Sequence, residues 1–191
     1  PKALDLIVDR FSTESGNGKD AAFQALLDWK GVEVADKLYA ICKDASATTY
    51  FDRALNRYIQ LGSNPQLKGE DRSLYLTNAM NITKNTSQKG AILKALGNTG
   101  TYAGMLLAGQ YLDDKSVAQE AAGAVMNISL GNKTYTGKNV EELLNKVIVV
   151  LDNPDAEYQH QAIRKHLAEM VIPEPYKLTS EEEANGYKIL F

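Results

Sequence analysis

A Leu-Gly-Asn triplet that returns after 34 residues constrains this chain more than any other feature: Leu96-Gly97-Asn98 is followed by Leu130-Gly131-Asn132. Between the two copies run two helical patterns joined by Asp113-Asp114. Glycine commonly sits just past a helix end, where the left-handed conformation costs it little. Gly31, Gly62, Gly97 and Gly131 fall 31, 35 and 34 residues apart, and the last three each follow leucine. Each interval holds two helix-length apolar patterns. Units of that size cannot bury their apolar faces alone, whereas stacking them does. No stretch before residue 186 alternates with period two over a useful length. The expected fold is all-α: a right-handed α-solenoid of about five helical hairpins, at residues 2–30, 32–61, 67–96, 100–130 and 138–171.

Taken in order, residues 2–11 set Leu4, Ile7, Val8 and Phe11 on one helical face, and STESGNG at 12–18 breaks the pattern. Residues 20–30 resume it with Phe23, Leu26 and Leu27, and Gly31 closes it. The next helices are expected over 32–44 and 47–61, with Ser46 as N-cap of the second. Residues 67–83 follow, with Leu74, Leu76, Met80 and Ile82 as core, and then 88–96, capped by Ser87. Helices over 101–112 and 116–130 flank the Asp pair, and helices over 139–151 and 156–171 complete the array. Pro154 fits the first turn of the last one, where a missing N–H is no loss.

The segment running Ala95-Leu96-Gly97-Asn98-Thr99-Gly100, then Leu112-Asp113-Asp114-Lys115-Ser116-Val117, then Glu120-Ala121-Ala122-Gly123-Ala124-Val125 resembles a HEAT repeat. In that family the first helix ends near a Leu-x-Asp turn, and the second opens with Val-Arg and continues through small residues. Val117 matches the valine, Ala118 stands in place of the arginine, and the other hairpins share only the period. A tetratricopeptide pattern of Trp-Leu-Gly-Tyr and Ala-Phe-Pro does not recur. The resemblance implies a HEAT/armadillo-like repeat region in which Ala121, Ala122, Gly123 and Ala124, with Gly104 and Gly109, let helices approach closely.

At 191 residues the chain has ample core for such an array. A net charge of −3, with no run of three Lys or Arg, argues against nucleic acid as a partner. The longest apolar runs, such as residues 147–151, fall far short of the roughly 20 residues that span a bilayer. Cys42 is the only cysteine and reads as a small buried hydrophobe, so neither a disulfide within the chain nor a cysteine metal site is available. A start at Pro1 without Met reads as a processed terminus or a segment of something longer.

The search for chemistry assigns no catalytic, cofactor-binding or metal-binding residue. His160 and His166 are the only histidines, and six residues on one helix set them about 240° apart around the axis. Asp113-Asp114 and Asp152/Asp155 resemble paired carboxylates, but they occupy equivalent inter-helix turns, where acids cap the next helix. Gly97-Asn98-Thr99-Gly100 is a repeat turn that matches no phosphate loop. Asn81, Asn85, Asn127 and Asn132 open Asn-x-Ser/Thr triplets that helix-end chemistry explains. Trp29, the single tryptophan, reads as packing beside a helix end, in preference to a sugar platform. Tyr39, Tyr58, Tyr75 and Tyr111 fall on core-facing positions, while Tyr102 and Tyr135 near turns are the better surface candidates.

Composition shifts at residues 173–191, giving two expected regions: 1–172 as the repeat domain and 173–191 as a linker leading to a β-strand. Pro173 and Pro175 end the last helix, Thr179 with Glu182 forms a capping box, and residues 187–191 read as a strand, the first of a further domain. The pattern Leu178-Thr179, Glu181-Glu182, Gly186-Tyr187-Lys188 and Leu190-Phe191 resembles the entry to a 3-keto-disaccharide hydrolase domain, a concanavalin-like β-sandwich. Helical repeats precede that domain in large exported proteins of Bacteroidetes bacteria. The resemblance implies a parent protein that acts on glycosides in the periplasm or at the cell surface, with carbohydrate met through the further domain. None of the sandwich's site residues falls within the chain, so none is carried over. The expected role is a non-catalytic scaffold whose partners are neighbouring domains of the same chain or another protein. The competing readings are a free-standing protein-binding adaptor and a small enzyme with a site between repeats.

Overall fold

The computed structural model describes residues 2–171 together with Thr179, Ser180 and Gly186. Ten α-helices fill the described residues, and no strand occurs among them. They are α1 (Lys2–Thr13), α2 (Gly16–Asp28), α3 (Ala35–Lys43), α4 (Phe51–Gly62), α5 (Gly69–Ile82), α6 (Thr86–Leu96), α7 (Tyr102–Gly109), α8 (Ala118–Gly131), α9 (Lys138–Val150) and α10 (Ala156–Glu169). Short 3-10 turns at Val32–Val34 and Thr48–Tyr50 lead into α3 and α4. The all-α class expected from the period is the observed one. The expected linker from Pro173, the capping partner Glu182 and the strand over 187–191 lie outside the described residues.

Consecutive helices pack as α1 on α2, α3 on α4, α5 on α6, α7 on α8 and α9 on α10. Each even-numbered helix also packs on the next, from α2 through α4, α6 and α8 to α10, and α5 packs on α7. One cluster of buried apolar side chains runs through all ten helices, from Leu4 in α1 to Ile163 in α10. α4 shows how the sequence builds it: Ala54, Leu55, Tyr58, Ile59 and Leu61 are buried, while Asp52, Arg53, Asn56 and Gln60 face water.

The turns between helices follow one rule that the glycine spacing does not reveal. Asp44, Asn64, Asn85, Asp114, Asn132 and Asn153 each accept the backbone N–H two residues on, at 2.8–3.1 Å. Thr99 makes the threonine version between α6 and α7, accepting from the Thr101 N–H at 3.4 Å. Every connection from α3 to α10 therefore carries a side chain that mimics a backbone turn.

That rule corrects several local expectations. Ser46 does not cap α4: its N–H and hydroxyl both donate to Asp44, at 2.8 and 2.7 Å. Asn85, not Ser87, caps α6, because its side-chain oxygen accepts from the N–H groups of Ser87 and Gln88 at 2.8 and 3.3 Å. Pro154 lies just outside α10, ahead of Asp155 at the N-cap position. α2 starts at Gly16, whose φ of +53° makes the turn, so the break after α1 is shorter than STESGNG suggests. That helix also ends before Gly31, at Asp28, with Trp29 as its C-cap. Leu74, expected in the core, is 62% exposed because α5 turns Ser73 and Leu76 inward on either side of it.

Candidate functional site

The small residues of α8 do line a close contact, with one exception. Ala121, Ala122 and Ala124 are buried. A Cβ added to Gly97, the C-cap of α6, would lie 3.0 Å from the Ala124 Cα, so α6 and α8 meet backbone to backbone here. Gly123 borders an open groove beside this contact, and a Cβ there would meet no described atom within 4 Å. It is not part of the contact.

Asp113 and Asp114 are engaged separately. Asp114 accepts the hydroxyl and N–H of Ser116 at 2.6 and 3.1 Å, with Lys89 at 3.6 Å. The Ser116 hydrogen bonds, foremost the hydroxyl, and then Lys89 hold its carboxyl below the usual aspartate range. Asp113 points to α9, where it pairs with Lys146. The two acids therefore serve a turn and an inter-helix ion pair, not helix capping as expected. Asp155 stands at the α10 N-cap without a side-chain capping bond, and Asn153 holds that turn.

The remaining side chains singled out in the sequence are spread over different parts of the molecule. His160 Nε2 lies 3.2 Å from the Leu151 carbonyl oxygen. His166 Nε2 is buried without a hydrogen-bond partner among the described residues, beside a space of about 40 Å³ lined also by Lys133, Glu169 and Met170. Cys42 is buried with Sγ 3.9 Å from the Phe51 carbonyl, and burial, helped by Asp52, pushes its thiol up to about 12. Trp29 donates its indole N–H to Glu33 at 3.0 Å, and its carbonyl accepts from Arg57 at 2.7 Å, which ties α4 to the C-terminal end of α2. Tyr39, Tyr58 and Tyr75 form a ring contact series across α3, α4 and α5: Tyr39 stacks on Tyr58 at 5.2 Å, and Tyr75 meets Tyr58 edge to face at 5.4 Å. Among the described residues, no group of three or more His, Cys, Asp or Glu side chains converges on a point that would hold a metal ion. No described helix is long and apolar enough to cross a membrane.

What the structure adds is a surface. α7, Tyr-Ala-Gly-Met-Leu-Leu-Ala-Gly, carries no charged residue. A helix that is apolar all round is normally enclosed. Here Gly104, Met105 and Ala108 are buried, while Tyr102 and Leu106 remain 36% and 39% exposed one turn apart. Tyr102 meets Tyr135 edge to face at 5.3 Å, and the Tyr135 hydroxyl donates to the Gly100 carbonyl at 2.9 Å. Both rings named as surface candidates are thus brought together at the start of α7. Towards its other end, Leu106, Gly109 and Gln110 face Asn139, Glu142, Leu143 and Lys146 of α9 across a groove of about 500 Å³. Gly109 lets Leu143 of α9 approach its backbone closely: a Cβ there would sit 2.6 Å from Leu143 Cδ2.

A second groove, of about 380 Å³, runs between α6 and α8 and is polar. Lys94, Asn98, Gln119, Glu120 and Asn127 line it, and Lys94 and Glu120 face each other at 3.6 Å. Sequence reasoning missed both grooves, because each depends on which helices lie side by side. The absence of charge over residues 102–109 was the one signal that could have marked the first. No protein-family model, curated protein or solved structure matches the chain.

Proposed function

We propose that this chain is a non-catalytic docking module, a HEAT-like α-solenoid whose outer helices α5, α7 and α9 present an apolar strip to a neighbouring domain. The observation that carries the reading is α7: an uncharged helix with Tyr102 and Leu106 in water beside a groove walled by Leu143. Contiguous exposed apolar surface is one mark of a partner-binding site on a folded protein. The solenoid reading is supported by the unbroken even-numbered row from α2 to α10 and by the same side-chain turn at successive connections. The non-catalytic reading is supported by the separate engagement of Asp113 and Asp114 and by the inert setting of Cys42.

The resemblance of residues 178–191 to the entry of a 3-keto-disaccharide hydrolase domain suggests the neighbour: a β-sandwich in a larger exported glycoside-acting protein. The module would then position that domain and leave the chemistry to it. Incubating the 191-residue chain with glycosides and 3-keto-glycosides should give no turnover beyond the buffer rate. Turnover that persisted through purification would reject the non-catalytic reading.

A further inference from the structure

We draw no further inference here: the strongest candidate outside the proposed docking strip, the polar groove between α6 and α8 walled by Lys94, Asn98, Glu120 and Asn127, carries nothing because its two charged walls pair with each other and nothing in the structure shows what covers it.

Discussion

Gly97 lies against Ala124 so closely that a single added methyl would come within 3.0 Å of the Ala124 Cα. This contact joins α6 to α8 in the row of even-numbered helices, and it makes the two glycines of the region unequal. Gly97→Val should overpack the contact and destabilise by about 1–3 kcal/mol. Gly123→Ala fills open space in mid-helix and should stabilise by about 0.5–1 kcal/mol through helix propensity. Urea unfolding of both variants checks the register of α8 on α6. Equal effects would mean that the register is wrong.

The turn chemistry is testable at α6. Asn85→Ala removes the side-chain oxygen that accepts from Ser87 and Gln88 and should cost about 0.5–2 kcal/mol. Ser87→Ala leaves those N–H groups satisfied and should lie within about 0.5 kcal/mol of the parent. Thermal unfolding of the pair separates the two cap assignments, because a serine cap would reverse the order.

Cys42 should be chemically silent while the protein is folded. A thiol raised to about 12 is ionised at pH 8 roughly a thousand-fold less than a free one of pKa about 8.5. Iodoacetamide labelling at pH 8 should therefore follow unfolding, and fast labelling of the folded protein would contradict the buried setting.

The same burial sets an alkaline limit on stability. Burial first, then neighbouring Asp52, raises Cys42, and burial also lifts the Tyr58 hydroxyl to about 12. Both folded-state values exceed the unfolded ones, so the native state binds more protons at high pH. Their contribution is fully present below about pH 8.5 and is lost as pH climbs towards 12. Denaturation midpoints recorded from pH 8 to 11 should fall, and Cys42→Ser should flatten the lower part of that fall.

The glycine period and the apolar spacing were enough to read an all-α chain of paired helices, because 3.6-residue periodicity and helix stops are local properties of sequence. Local capping was read less well. Ser46 and Ser87 look like caps in isolation, but Ser46 is itself held by Asp44 and leaves α4 without a side-chain cap, while Asn85 takes the N–H groups that Ser87 was expected to serve. Leu74 shows a different limit: an apolar residue in an amphipathic window counts as core until neighbouring helices decide which face they cover. The groove beside the proposed docking strip was only hinted at by the uncharged run 102–109, since Leu106 and Leu143 are 37 residues apart and meet only when α7 lies beside α9.

The central claim is that Leu106 and its neighbours are a docking surface for the domain that residues 178–191 resemble. Amide hydrogen exchange in α7 and α9, compared between the 191-residue chain and a longer protein made by joining a 3-keto-disaccharide hydrolase domain to its C-terminus, tests this directly. The account predicts added protection of both helices in the longer protein, returned to the level of the short chain by Leu106→Arg with no change in the melting temperature of the short chain. Identical exchange in the two proteins, with Leu106→Arg silent in both, would contradict it.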